Sequence, residues 1–314
     1  MLSECARLQL TYEGPTDPEL HPGVAVLKIC KSLESNRESA IELDAYKLEL
    51  DFYESLASKV PLRVPKCHGL YRHRDRPNEL FGILLEDLKL NYEPLVQLVG
   101  ITKEETLAMA EAIGKFHAAF WEHPMLSSPE MQPSFKSGQY ANPTGEYRAR
   151  LHLWLNDFPG CWAEYSTLLD DAGIGVGTID TCDTAKLLRI CELMQRPVIS
   201  DKMLRRWWRI LDSRPRTLVH GDMRADNLFK NKDGQFAIID WQLYQSGAGG
   251  TEFEQTVGVN GAPQETHAAM QEVFEVYHRT LVEHGPAGIG ETYTLQMIRD
   301  DYHIACWYLS LIHI

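Results

Sequence analysis

The feature that most limits what this chain folds into is a pair of short apolar segments that each run into an aspartate. Leu218-Val219 leads into His220-Gly221-Asp222, and Phe236-Ala237-Ile238-Ile239 leads into Asp240-Trp241. Between them lie Asn227 and the turn sequence Asn231-Lys232-Asp233-Gly234. Apolar segments joined by such a turn fold back as a hairpin. The short spacing from Asp222 to Asn227 lets one tight loop aim both groups into a cleft, with the Asp240 strand beside it.

Two carboxylates and a carboxamide in that arrangement suit phosphoryl transfer. A hydroxyl nucleophile must be oriented and must lose its proton, and a carboxylate such as Asp222 accepts it. A polyphosphate is held by Mg²⁺, a hard ion that prefers oxygen ligands. Asp240 offers an anionic oxygen and Asn227 a neutral one. The rest of the catalysis is positioning and charge neutralisation. His-Gly-Asp alone would read as a polar loop with Asp222 capping a turn. The second apolar strand, with its own aspartate, sets the combined pattern apart from that reading.

A formal charge of -13 over 314 residues argues against nucleic acid and anionic membrane as partners. The one compact basic run, Leu204-Arg205-Arg206-Trp207-Trp208-Arg209, reads as an amphipathic helix, Trp side inward and Arg side solvated. The seven cysteines are widely spaced and include no C-x-x-C, which fits neither a zinc site nor a disulfide framework and suits a reducing cytoplasm. No basic segment followed by an apolar run opens the chain, and no stretch approaches the roughly 18 apolar residues of a membrane span.

Along the chain, the first part reads as strands with one helix. Leu8, Leu10 and Tyr12 alternate with polar residues as a half-buried strand does, and residues 23–29 form a second strand. Ile41, Ala45, Leu48, Phe52 and Leu56 recur at helical spacing and predict one helix over 39–57. Short strands are expected at 65–70 and 80–85. Thr102 and Glu105 form a capping box for a helix running through Phe120. Residues 124–145 read as a loop. Helices are expected around 147–170, 184–194, 201–211, 264–284 and 291–309, with strands near 217–220 and 235–240. This is an α+β pattern, a small strand-rich lobe over residues 1–88 followed by a larger helical lobe over 89–314.

His220-Gly221-Asp222 with Asn227, and Ile239-Asp240-Trp241-Gln242, resemble the aminoglycoside phosphotransferase and choline kinase-like superfamily, and within it the ecdysteroid kinase-like group. The resemblance spans nearly the whole chain, though only this segment is highly specific. It implies a protein-kinase-like fold with ATP between two lobes. It also implies the roles reached above: base for Asp222, Mg²⁺ ligands for Asn227 and Asp240. Lys28, in Val26-Leu27-Lys28-Ile29, falls where the family has a strand lysine that meets the phosphates. Glu49 looks like the helix glutamate that pairs with it, with Glu42, Asp44, Asp51 and Glu54 as nearby alternatives. Ile83-Leu84-Leu85-Glu86-Asp87-Leu88 resembles the hinge between the lobes, where backbone groups of Leu85, Glu86 and their neighbours would bond adenine. His117, on the helix with Phe116 and Trp121, reads as structural.

The chain departs from the family pattern in two places. No glycine precedes Gly14, so the first strand and glycine-rich turn of such kinases are expected to be missing, and the chain to be a fragment. After Gly247-Ala248-Gly249-Gly250, where the family has an aspartate, Glu252 stands in, with no catalytic role assigned. The expected function is transfer of the γ-phosphate of ATP to a hydroxyl of a small molecule, its acceptor pocket lined by residues around 120–210, among them Trp154, Phe158, Trp162, Tyr165, Trp207 and Trp208. Two alternatives are a catalytically silent nucleotide-binding protein of the same fold and a protein kinase. Against the second stand His-Gly-Asp for His-Arg-Asp and Asp-Trp for Asp-Phe-Gly.

Overall fold

The computed structural model describes residues 2–17, 20–76, 79–97, 99–128, 131, 206–207, 209–259 and 269–312. The chain divides into two compact units, Met1–Ser134 with Pro215–Cys306, and Phe135–Arg214 with Trp307–Ile314. All the candidate site residues belong to the first. The helices expected at 147–170 and 184–194, most of the 201–211 segment, and Trp154, Phe158, Trp162, Tyr165 and Trp208 lie outside the described residues.

The architecture is α+β and kinase-like. Strands β1 (Ser3–Gln9), β2 (Val24–Cys30), β3 (Cys67–Arg72) and β4 (Phe81–Glu86) form an antiparallel sheet in the order β1-β2-β4-β3. The first strand lies earlier than its alternation predicts. The register Ser3↔Cys30 to Gln9↔Val24 uses the whole of β2, and one more bond, from Leu10 N–H to Gly23 O at 2.9 Å, closes the ladder and leaves Tyr12 outside it.

The single helix expected over 39–57 is two, α1 (Glu34–Glu42) and α2 (Ala45–Ser55). The break falls at Asp44, whose φ of 52° is left-handed. Aspartate is among the few residues that tolerate this conformation. The apolar periodicity continues across it, so the break leaves no mark in the hydrophobic pattern. Leu48, Phe52 and Leu56 are buried as that pattern requires.

Helix α3 (Lys103–Ala119) begins with the expected capping box. Thr102 Oγ1 accepts from Glu105 N–H at 3.2 Å and Glu105 Oε2 from Thr102 N–H at 2.7 Å. It packs against α4 (Met270–His284). A Cβ added at Gly114 would lie 2.8 Å from Thr280 Cβ, so the glycine sets the closeness of this pair. Helices α5 (Ile289–Thr292) and α6 (Leu295–Ile312) follow. No helix among the described residues is long and apolar enough to cross a membrane.

Short strands carry the Asp222–Asp240 segment. In chain order they are β5 (Glu93–Pro94), β6 (Thr217–Val219), β7 (Leu228–Lys230), β8 (Phe236–Ile238) and β9 (Gln245–Gly247). They pair as β5-β7-β8 and β6-β9. The β7–β8 hairpin turns through Asn231–Gly234, with Gly234 at φ 81°. Trp241, fully buried, joins the parts. Its ring stacks on Phe52 of α2 at 4.0 Å, meets Phe116 of α3 edge-on at 5.7 Å and lies 4.5 Å from the His220 ring. One aromatic contact set thus ties the sheet-bearing lobe to the helical one.

Candidate active site

Lys28 of β2 and Glu49 of α2 meet Asp240, two residues past the end of β8. Lys28 Nζ donates to Glu49 Oε1 at 2.7 Å and to Asp240 Oδ1 at 2.7 Å. Lys28 and Glu49 are buried, and the Asp240 side chain is 22% exposed. Of the alternatives to Glu49, Asp51 pairs with Lys47 and Arg72, and Glu54 with Arg72. Burial disfavours the ammonium, but Asp240 and Glu49 outweigh it and hold the Lys28 pKa above its ordinary value. For Glu49 burial prevails over Lys28 and pushes the carboxyl up to about 7. Asp240 is half-buried, which works to raise its carboxyl, yet Lys28 holds it below the usual carboxylate range.

Strand β8 stops at Ile238, short of the expected Asp240. Asp240 itself has φ 67°, a left-handed turn at a non-glycine residue of the kind that concentrates at functional sites. The chain turns there and delivers the carboxylate to Lys28 instead of continuing along the sheet.

Asp222 and Asn227 share one loop. The Asn227 amide nitrogen donates to Asp222 O at 2.8 Å and to Asp222 Oδ2 at 3.0 Å. Both amide protons are therefore committed, and the group left for a cation is Oδ1. The backbone ties this loop to Asp240, because Ile239 N–H donates to Asn227 O at 3.0 Å. Burial pushes the Asp222 carboxyl up to about 7, helped by the charges of Asp240 and Glu252 and opposed by Arg224 and Asn227. Arg224 Nε lies 3.4 Å from Asp222 Oδ1. All three predicted reactive groups thus meet on adjacent loops.

The loop is held from below by Glu252. Its two carboxylate oxygens accept from His220 N–H at 2.6 Å and Gly221 N–H at 3.1 Å. Burial works to raise this carboxyl, but His117 and His220 outweigh it and hold it below its usual range. His117 Nε2 is 3.6 Å from Glu252, and its Nδ1 shares a bond with Tyr277 OH at 2.9 Å. Burial lowers the His220 pKa. With Nε2–H donating to Ile239 O at 3.0 Å, its Nδ1 accepts from Asp222 N–H at 3.2 Å, so one tautomer satisfies both contacts. Gly221 has φ 79°, and a Cβ there would sit 2.5 Å from Leu243 O.

Sequence reasoning named Glu252 without a task. The task depends on tertiary packing, and the one local signal is an acid shortly after a glycine run. It also missed Arg63. Leu85 lies in the sheet between Val26 and Cys67. Glu86 N–H is already given to Lys66 O at 2.8 Å. The Glu86 side chain accepts from Arg63 Nη2 and from Lys66 N–H at 2.9 Å. Glu86 is therefore fastened in place, and its N–H is not free for a ligand.

No cluster of three His, Cys, Asp or Glu side chains forms a metal centre among the described residues. Asp240 and the Asn227 oxygen do fit Mg²⁺ as a partial set, since this ion is commonly held by one or two protein groups together with substrate phosphates. A cavity of about 210 Å³ lies elsewhere, lined by residues including Asp51, Glu54, Met125 and Tyr244, and contains none of the predicted site residues.

The model of the ecdysteroid kinase-like family matches residues 1–286. No curated protein sequence matches the chain. Among solved structures, the gentamicin complex of aminoglycoside phosphotransferase APH(2")-IIa shares 14% identity at TM-score 0.41, covering 94% of this chain and 87% of its own. Choline kinase LicA from Streptococcus pneumoniae shares 11% at TM-score 0.40, covering 98% and 86%. Plasmodium vivax ethanolamine kinase shares 11% at TM-score 0.45, covering 92% and 69%.

Proposed function

The chain belongs to the ecdysteroid kinase-like family, and from that premise we propose that it transfers the γ-phosphoryl group of ATP to a hydroxyl of a small molecule. The observation that supports this most is the convergence of Lys28, Glu49 and Asp240 through two 2.7 Å contacts, beside an Asp222–Asn227 pair on the adjoining loop.

In this reading Asp222 is the base. With a carboxyl pKa of about 7 it accepts a proton readily near neutrality. The acceptor oxygen bonds to the γ-phosphorus while its proton passes to Asp222. The bond from that phosphorus to the β–γ bridging oxygen breaks, and ADP leaves with the electron pair. Lys28, fixed by Glu49, binds phosphate oxygens as a permanent cation. Asp240 and the Asn227 oxygen would hold Mg²⁺, which neutralises phosphate charge. Leu85 and Glu86 would frame the adenine; with the Glu86 N–H engaged, the N–H donor to the base has to come from a neighbouring hinge residue.

The test is ADP formation from Mg·ATP against a panel holding a sterol alcohol, an amino alcohol, an aminoglycoside and a peptide, with nucleotide binding measured alongside. Turnover with an alcohol is expected. Tight nucleotide binding without transfer to any of them would put a silent nucleotide-binding protein in its place. Transfer to the peptide alone would make it a protein kinase.

A further inference from the structure

Arg224 is a guanidinium with a buried donor to spare at the centre of this site. It follows Asp222 by two residues, and its own carbonyl accepts from Asn227 N–H at 2.9 Å, so its backbone is part of the same tight loop. Its side chain is 31% exposed, yet Nε is buried and makes no hydrogen bond. At 3.4 Å from Asp222 Oδ1 the contact is an ion pair without a formed bond. Its charge acts on both Asp222 and Asp240. Lys28, by contrast, has two short carboxylate contacts already.

A buried guanidinium N–H with no acceptor is costly unless an anion arrives. The planar fork suits the oxygens of a phosphoryl group better than a point charge does. During transfer, negative charge spreads over the three non-bridging oxygens of the moving phosphoryl. We infer that Arg224 is a catalytic residue whose unpartnered Nε–H binds one of those oxygens during transfer, with Asp222 as its ion-pair partner while the site is empty. This rests on the phosphotransferase reading above and adds to it the group that stabilises the moving charge.

The experiment compares wild type, R224Q and R224K, each checked for an unchanged melting temperature. It reads kcat and KM for Mg·ATP, and the affinity for Mg·ADP with and without aluminium fluoride, which mimics the planar phosphoryl. Removing one such donor costs on the order of 10²–10³ in kcat. R224Q is expected to lose that much kcat with KM for ATP nearly unchanged. It should keep its ADP affinity while losing the extra affinity conferred by aluminium fluoride. R224K, which keeps the charge without the fork, should recover part of both. Wild-type turnover with R224Q unimpaired would overturn the role of Arg224 and leave the phosphotransferase reading standing. So would an R224Q that loses kcat yet retains the full aluminium fluoride effect, since that marks a merely structural role. A wild type that binds no nucleotide would remove the parent reading and this inference together.

Discussion

Substitution of Glu252 tests whether the loop that carries Asp222 is held by its backbone. The residue is buried, and its carboxylate is the acceptor for two consecutive amides, His220 N–H and Gly221 N–H, just before Asp222. Glu252→Ala leaves both donors buried without a partner. An unsatisfied buried donor costs about 1–3 kcal/mol, so the pair costs about 2–6 kcal/mol. Part is returned because the carboxylate no longer has to be desolvated. A loss of about 3 kcal/mol is expected, which for a compact unit of this size lowers Tm by about 6–12 °C. Glu252→Gln should fall between, because its amide oxygen serves one donor while its NH₂ faces the other.

Thermal unfolding of the metal-free protein measures the loss, and hydrogen exchange at the His220 and Gly221 amides locates it. The pH dependence gives an independent check. Because the Glu252 carboxyl is held below its unfolded value, its contribution is complete above an unfolded pKa of about 4.3 and disappears as pH falls through the lower folded value. The gap between wild type and E252A should therefore be widest at neutral pH and narrow in acid. An E252A protein with wild-type Tm and intact protection of those two amides would refute the reasoning.

Three further outcomes follow from the same geometry. Asp222→Asn should cut turnover by roughly 10²–10⁴-fold, the usual worth of a general base. It should also stabilise the metal-free fold, because a carboxyl raised to about 7 against about 3.9 unfolded costs up to about 4 kcal/mol once both states ionise. That gain should be full above neutral pH and vanish below about pH 4; an unchanged or lowered Tm at neutral pH would contradict it. Gly221→Ala should destabilise strongly and abolish turnover, since the new Cβ meets the Leu243 carbonyl at 2.5 Å. Gly234→Ala, with φ 81° and open space around it, should cost only the left-handed strain of about 1–2 kcal/mol and keep activity; equal losses in a melting assay would show that the clash is not the cause. Chelating divalent metal should weaken ATP binding severely in a fluorescence titration, because an ATP polyanion then meets the carboxylates Asp240, Asp222 and Glu49 with, among the described residues of the site, Lys28 and Arg224 to offset them.

What was legible in the sequence was local. The Asn231–Gly234 hairpin and the Thr102–Glu105 capping box each depend on residues a few positions apart, and both form as their spacing predicts. The Asp222–Asn227 loop is legible for the same reason. The Lys28–Glu49 pair spans 21 positions, and no periodicity singles out Glu49 from its acidic neighbours; the family resemblance picked it out. The break at Asp44 was hidden because burial on α2 keeps the phase of the helix before it. The tasks of Glu252 and Arg63 were illegible because each serves backbone or side-chain groups brought near only by tertiary packing.

These two kinds of support explain why the two carboxyl groups are shifted in opposite directions. Asp222 and Asp240 are both largely withdrawn from water, and burial alone would raise both. The hairpin brings them onto adjacent loops but cannot distinguish them. The distinction comes from the other lobe: β2 sends Lys28 to Asp240 at 2.7 Å, while Asp222 has only the looser contact with Arg224 at 3.4 Å. Lys28 thereby holds Asp240 below the usual carboxylate range, as the proposed metal ligand would require, while burial leaves Asp222 raised to about 7, as the proposed base would require. The proposed division of roles therefore rests on which aspartate the sheet lysine reaches. If Lys28→Met left the Asp240 carboxyl titrating where it does in the wild type, by carboxyl-resolved NMR of the metal-free protein, that division of labour would have no physical cause.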